Sequence, residues 1–165
     1  MKKLLTLAAA AVMAVTMVGE AAARDKITIA TEGAYPPFNM TDTAGNLTGF
    51  DVEIANALCD YMKVECEIVA QDWDGIIPAL LAHKYDAIVA SMSITEERKK
   101  SVAFTDKYYE TPARFVVPDG AMEEFDVDGM KDAMDGKIVG VQASTIHSNF
   151  LEDNLGDAID IRYYD

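Results

Sequence analysis

Five side chains that could hold a small zwitterion are spread over the first two thirds of the sequence. Tyr35 and Trp73 offer aromatic walls, Ser91 and Ser93 offer hydroxyl groups, and Arg98 offers a guanidinium. A guanidinium and the free amides at a helix start bind a carboxylate through charge-assisted hydrogen bonds. Each such bond contributes about 1.5 to 3 kcal/mol. These residue types therefore suit the binding of an amino acid.

Each of these residues also has an ordinary structural interpretation. Arg98 could form a surface pair with Glu96 or Glu97, and the two aromatic side chains could simply pack in the core. The functional interpretation depends on whether the fold brings all five side chains together.

The elements that would position them alternate between strand and helix. Apolar and β-branched runs predict strands over 26–31, 64–70 and 85–90. Helical spacing predicts a helix from Asp51, and Asp74 can cap a second helix over 75–84. The predicted inner face of the first helix comprises Ile54, Ala55, Leu58, Cys59 and Met62. This alternation predicts an α/β fold with a doubly wound sheet.

Three loops leave the carboxyl ends of these strands and carry all five side chains. They are residues 32–38, 71–74 and 90–98. In open parallel sheets, ligands bind beyond the carboxyl ends of the strands. We therefore expect the five side chains to meet at one rim of the sheet.

A second α/β unit begins beyond an extended segment around Pro112. Helix 130–134, strand 137–142 and strand 159–164 are predicted there, and Ser144-Thr145 opens a helix that reaches Leu155. The polar loop Gln142-Ala143-Ser144-Thr145 at the end of the strand could present helix amides to a ligand, or it could be an ordinary helix cap. The sequence leaves these alternatives equal, and the predicted second unit is not completed.

The N-terminus has the pattern of a secretory signal. Lys2 and Lys3 precede an apolar run, and Ala21 and Ala23 satisfy the small-residue rule for cleavage after Ala23. The run is shorter than a membrane-spanning helix, although an uncleaved anchor is the alternative. No cysteine beside the cleavage site could take a lipid. We expect a signal peptide over 1–23 and an unlipidated mature protein in a periplasm.

Composition narrows the classes of partner. A formal net charge of −14 disfavours nucleic acid and anionic membranes, and no second apolar segment is long enough to span a membrane. His83 and His147 stand at no metal-ligand spacing, so neither a metal nor another cofactor is expected. Cys59 and Cys66 are the only cysteines, and in an oxidising compartment they form either a disulfide, which we favour, or two buried thiols.

Four stretches together resemble periplasmic amino-acid-binding proteins of ABC importers, solute-binding family 3. The stretches are Glu32–Phe38, Gly49–Glu53, Trp73–Leu80 and Ser91–Arg98. The chain is most similar to the lysine/arginine/ornithine and histidine binders, whose cysteine pair matches Cys59 and Cys66. The resemblance implies a two-lobed type II fold with a first lobe over 24–112 and a partial second lobe over 113–165. By this resemblance the chain is C-terminally truncated.

The resemblance also implies roles for eight residues. Tyr35 and Trp73 would sandwich the ligand side chain, and Ser91, Ser93 and Arg98 would hold its α-amino and α-carboxyl groups. Thr145, with Ser144 beside it, would add a main-chain donor from the second lobe. Glu32 would lie near the far end of the ligand and favour a cationic side chain. Ala90 and Ile146 depart from residues common in basic-amino-acid binders, so the side-chain pocket is expected to differ.

The function implied is a non-catalytic receptor. It would capture a polar, basic amino acid and deliver it transiently to a membrane permease of the ABC type. No nucleophile with an adjacent base is evident in the sequence. The alternatives are an exported enzyme similar to cyclohexadienyl dehydratase, which would grip a carboxylate in the same way, and a truncated remnant without function.

Overall fold

The computed structural model describes residues 26–121 and 125–165, so the predicted signal peptide over 1–23 lies outside the described residues. The elements in chain order are β1 (Lys26–Thr31), β2 (Ala34–Tyr35), β3 (Asn39–Thr41), β4 (Leu47–Thr48), α1 (Phe50–Met62), β5 (Glu65–Ala70), α2 (Trp73–Leu81), β6 (Ala87–Ile88), α3 (Glu96–Lys99), α4 (Met130–Met134), β7 (Ile138–Gln142), α5 (Ile146–Leu155) and β8 (Asp160–Tyr164).

A parallel three-stranded sheet forms the centre of the first unit. Its strand order is β5-β1-β6, and Ile29 of the central strand lies opposite Ile68 on one side and Ala87 on the other. Successive side chains of a strand point to opposite faces. Ile29 packs with α1, and Ala30 packs with Ile76 of α2. Helices therefore cover both faces, which confirms the predicted doubly wound α/β sheet.

Local predictions were less accurate at α1 and β6. In α1, Ala55 and Cys59 are buried as expected, but Leu58 and Met62 are 48% and 49% exposed. The buried face begins instead at Asp51 and Val52, because hydrogen bonds draw the Asp51 carboxylate inward. The third predicted strand is reduced to Ala87–Ile88.

The cap predicted for α2 was also wrong by two residues. Asp72 stands at the N-cap, where its side chain makes no capping hydrogen bond, and Asp74 lies in the first turn. The helix therefore begins directly at Trp73, which places the indole at the carboxyl-end rim of the sheet.

A small antiparallel sheet, β2-β3-β4, sits between β1 and α1 in the chain. A turn at Gly45-Asn46 joins its last two strands, and the Asp42 carboxylate accepts hydrogen bonds from Ala44 N and Asn46 N at 2.8 Å each. Gly49 follows this small sheet and has a φ of 116°. A Cβ there would lie 2.5 Å from the carbonyl oxygen of Phe38. Only glycine fits this junction with α1.

The second unit consists of β7, α5 and β8 with α4 packed against them. The two strands are parallel, and the core contains Met134, Leu151, Leu155 and Ile159. The predicted elements of this unit are confirmed within a residue or two at each end. The segment 108–118 between the two units contains neither helix nor strand. The lobe boundary predicted near residue 112 stays a prediction.

Cys59 near the end of α1 and Cys66 in β5 form a disulfide, with their Cα atoms 6.1 Å apart. This confirms the predicted pairing and excludes the alternative of two free thiols. The bond ties the helix to the strand that follows it. Within the described ranges, no helix has the length and apolar character needed to cross a membrane.

Candidate amino-acid-binding site

A small cavity lies where the carboxyl ends of β1 and β7 meet the start of α2 and the loop 90–98. Its volume is about 70 Å³, well below the roughly 300–1,000 Å³ of typical small-molecule sites. The residues that line it are Glu32, Tyr35, Trp73, Ala90, Ser91, Ser93, Arg98, Gln142, Thr145, Ile146 and His147. The structure thus brings together every predicted site residue except Ser144, which contacts two of them. Their roles in binding stay predictions.

Arg98 is positioned by a short capped helix. Thr95 Oγ1 accepts a hydrogen bond from Arg98 N at 3.1 Å, which caps α3 and turns the guanidinium toward the cavity. Arg98 Nη1 donates to the Ser93 carbonyl at 2.8 Å, and Nη2 donates to the Ser144 carbonyl at 3.1 Å. Its Cζ atom lies 5.3 Å from the centre of the Trp73 ring, a cation–π distance.

The surface-pair interpretation of Arg98 was wrong. Glu96 pairs with Lys99 at 2.8 Å, and Glu97 pairs with Lys100. Over residues 26–121 and 125–165, no carboxylate forms an ion pair with Arg98. Burial lowers the pKa of the guanidinium, although arginine stays charged in proteins. The cavity therefore contains a partly desolvated positive charge that is bonded only to neutral carbonyls.

The carbonyl of Ser144 joins the two units across the cavity. It accepts hydrogen bonds from Trp73 Nε1 at 3.1 Å and from Arg98 Nη2 at 3.1 Å. Ser144 adopts a left-handed φ of 56°, which turns this carbonyl toward the first unit. The contact to Ser144 is thus made by its main chain, and it explains why the cavity is so small.

Glu32 and Gln142 form a second contact across the cavity. Gln142 Nε2 donates a hydrogen bond to Glu32 Oε1. Burial raises the pKa of the Glu32 carboxyl, the bond from Gln142 opposes this rise, and the nearby Asp72 charge adds to it. Glu32 is therefore a carboxylate that would gain from a cationic partner.

Thr145 caps α5 and does not offer a free main-chain donor. Its Oγ1 accepts from Ser148 N at 3.1 Å, and its own N–H donates to Ser148 Oγ at 3.2 Å. This reciprocal pair is a capping box. The structure shows the helix cap at Thr145, and the presentation of other helix amides to a ligand stays a prediction. The main-chain donor role that the resemblance implies for Thr145 stays a prediction.

Two residues of the cavity were assigned no binding role from the sequence. Gln142 is the last residue of β7 and begins the polar loop 142–145 that the sequence indicated. His147 lies in the first turn of α5 beside Thr145, and its sequence spacing gave no such signal. Across the described parts of the chain, no cluster of His, Cys, Asp or Glu could hold a metal ion.

The fold and the cavity together define the class of protein. Two α/β units that meet over a polar cavity are the two-lobed, type II arrangement of proteins that bind small solutes. The chain belongs to the bacterial extracellular solute-binding proteins, family 3, whose profile matches residues 27–154.

Comparisons with known proteins give the same assignment. The chain is 50% identical over 158 residues to the L-arginine-binding protein of Pseudomonas aeruginosa, covering 96% of this chain and 59% of that protein. It is 43% identical over 166 residues to the octopine-binding periplasmic protein of Rhizobium meliloti, and the match covers 88% of this chain and 56% of that protein. The chain thus spans less than two thirds of the length of these relatives.

Two solved structures are similar throughout most of the chain. An ancestral arginine-binding protein bound to glutamine matches with a TM-score of 0.76 and 34% identity, over 87% of this chain and 61% of that one. An ancestral amino-acid-binding protein, described as a precursor of cyclohexadienyl dehydratase, matches with a TM-score of 0.76 and 33% identity, over 86% of this chain and 61% of that one. Both are described as binding proteins.

Proposed function

We propose that this chain is an extracytoplasmic receptor that binds an amino acid with a cationic side chain and delivers it to an ABC-type permease. The observation that carries the proposal is the guanidinium of Arg98, which faces the cavity and, among the described residues, is bonded only to the carbonyls of Ser93 and Ser144. A partly buried positive charge that is bonded to neutral carbonyls gains most from an anionic ligand group. The α-carboxylate of an amino acid supplies that group.

The opposite charge in the cavity indicates the side chain. Glu32 lines the same cavity as Arg98, and burial raises its pKa. A cationic ligand group beside it would offset the desolvation of the carboxylate. The bond from Gln142 would then be replaced or shared by the ligand. A ligand with a carboxylate at one end and a guanidinium or ammonium group at the other matches both residues.

Capture requires the two units to separate and close again. The cavity of about 70 Å³ is closed by the contacts that Ser144 and Gln142 make to the first unit. Hinge closure around a ligand is a common device of proteins built from two units. We place the first lobe at 24–112 and the partial second lobe at 113–165, with the hinge in the irregular segment 108–118 that spans their boundary.

The proposed site of action is the periplasm. Relatives that bind octopine, lysine/arginine/ornithine and histidine are described as periplasmic proteins, and the sequence over 1–23 has the pattern of a cleavable, unlipidated signal. Delivery of the amino acid to a membrane permease requires a transient complex between the receptor and the permease.

Calorimetric titration with arginine and citrulline tests the proposal. Citrulline keeps the length of arginine and replaces its guanidinium with a neutral urea group. We expect arginine to bind at least about tenfold more tightly, because one charge-assisted hydrogen bond to Glu32 is lost with citrulline. Glu32→Gln should remove most of this difference. The exposed Glu53 of α1 supplies the control, since Glu53→Gln should preserve it.

Three results would contradict the proposal in different ways. Equal binding of arginine and citrulline by the unmodified protein would exclude a role for Glu32 in selecting a cation. Turnover of prephenate without amino-acid binding would favour the dehydratase alternative. A chain that folds and binds neither class of ligand would be the remnant without function.

A further inference from the structure

The carboxylate of Asp51 is buried at the centre of a hydrogen-bond network that reaches the cavity. Asp51 is the second residue of α1, and its exposed fraction is 0%. Its Oδ2 accepts from Ser91 Oγ at 2.8 Å and from Asn39 Nδ2 at 2.7 Å, and its Oδ1 accepts from the Tyr108 hydroxyl at 2.6 Å. In the described ranges it forms no ion pair.

The network fixes the direction of the Ser91 hydroxyl. An ionised carboxylate can only accept hydrogen bonds, so the contact of 2.8 Å requires Ser91 Oγ to donate its single proton to Asp51. The remaining lone pairs of Ser91 Oγ can only accept. Ser91 also lines the cavity. The group that it offers to a ligand is therefore an acceptor with a negative charge directly behind it.

The network also holds the main chain of Ser91. Ser91 N donates to the Tyr108 hydroxyl at 3.0 Å, and that hydroxyl in turn donates to Asp51. Ser91 has a left-handed φ of 50°, a conformation that is unfavourable for a residue with a side chain. Burial, followed by the bond to Asp51, raises the pKa of Tyr108, so this hydroxyl keeps its proton.

The same carboxylate reaches the loop that carries Glu32. Asn39, which is also fully buried, donates to Asp51 and accepts from Gly33 N at 2.8 Å. Asp51 thus ties together the loop after β1, the loop 90–98 and the segment that contains Tyr108.

In an amino acid the ammonium group is attached to the carbon that bears the carboxylate. If Arg98 holds the carboxylate, the ammonium must lie beside the loop 90–98 rather than beside the side-chain end of the ligand. We propose that Asp51 is a positioning residue for that ammonium. It accepts the hydrogen bond from the Ser91 hydroxyl and so leaves Ser91 Oγ to accept a hydrogen bond from the ligand's α-ammonium group. This inference rests on the proposed function.

The experiment compares arginine with 5-guanidinopentanoate, which is arginine without its α-ammonium group. Dissociation constants for both ligands are measured by calorimetry on the unmodified chain and on Asp51→Asn. Asparagine keeps the size of the side chain, removes its charge and turns one acceptor into a donor. The control is Asp74→Asn, because Asp74 is the exposed second residue of α2, as Asp51 is the buried second residue of α1.

We expect the preference for arginine over the analogue to fall about tenfold in Asp51→Asn, the loss of one charge-assisted interaction, and to be unchanged in Asp74→Asn. Ser91→Ala should cause a similar selective loss. In the double variant the two losses should not add, because both act on the same acceptor. Circular dichroism melts establish that each variant is folded.

An equal loss of affinity for both ligands in a folded Asp51→Asn would overturn the inference, since it would show a purely structural role. Unchanged affinities for both ligands would also overturn the inference and would leave the proposed function standing. Failure of the unmodified chain to bind either ligand would overturn both. If Asp51→Asn does not fold, Ser91→Ala decides: selective loss supports the inference, and equal loss refutes it.

Discussion

Replacing Arg98 with alanine should weaken arginine binding by roughly 30- to 1,000-fold. The estimate starts from two charge-assisted hydrogen bonds to the ligand carboxylate, worth about 3 to 6 kcal/mol together. The ligand must displace the Ser144 carbonyl, which now accepts from Nη2 at 3.1 Å, and giving up that bond costs about 1 to 2 kcal/mol. The difference, about 2 to 4 kcal/mol, corresponds to this range at about 1.4 kcal/mol per factor of ten.

The same substitution should change the free energy of unfolding by no more than about 1 kcal/mol. Arg98 loses its bonds to the Ser93 and Ser144 carbonyls, but a partly buried charge without a carboxylate partner is also removed. These two effects oppose each other. A large loss of affinity with little loss of stability is the expected signature.

The assay can use the single tryptophan of the chain, because Trp73 stacks against Arg98 in the cavity. Fluorescence titrations with arginine and with agmatine, which lacks the carboxylate, separate the carboxylate contact from the rest of the site. Arg98→Ala should weaken the binding of arginine strongly and the binding of agmatine only slightly. Arg114 is exposed, and Arg114→Ala should change the affinity for neither ligand. Equal weakening of both ligands by Arg98→Ala would refute the assignment of Arg98 to the carboxylate.

Three further predictions concern stability and pH. Replacing Cys59 and Cys66 by alanine should lower the free energy of unfolding by about 2 to 3 kcal/mol in a urea titration, because their seven-residue separation closes a short loop; an unchanged midpoint would contradict this. Gly49→Ala should cost more than about 2 kcal/mol in the same assay, whereas Gly45→Ala, where a Cβ meets nothing within 4 Å, should cost less; equal costs would exclude the steric explanation. Arginine affinity should fall as the pH drops through the raised pKa of Glu32, above the ordinary value of 4.5, since protonation removes the charge that attracts a guanidinium. Glu32→Gln should abolish that pH dependence, and its persistence would identify another group.

The regular elements could be predicted because their signals are local. Strand β1 and helix α5 follow from β-branched runs and from helical spacing, and both are present in the structure. The convergence of Tyr35, Trp73 and Arg98 at one rim followed from the rule that loops meet at the carboxyl ends of parallel strands. That rule needs only the order of the elements.

The features that were missed depend on contacts between distant residues. The buried face of α1 includes Asp51, whose partners Ser91 and Tyr108 lie 40 and 57 residues away. Helical periodicity treats an aspartate as solvent-exposed and cannot reveal such partners. Similarly, the bond between Gln142 and Glu32 spans 110 residues. Local patterns indicate where a loop lies, but not which atoms its polar groups meet.

Under the proposed function, the carbonyl of Ser144 is an internal competitor for the ligand. It accepts hydrogen bonds from both the guanidinium of Arg98 and the indole N–H of Trp73, and the proposed ligand carboxylate would need the first of these groups. The apparent dissociation constant is the intrinsic constant divided by the fraction of molecules in which these donors are released. The strength of this self-contact therefore sets the ligand concentration to which the protein responds, without any change in the residues that recognise the ligand.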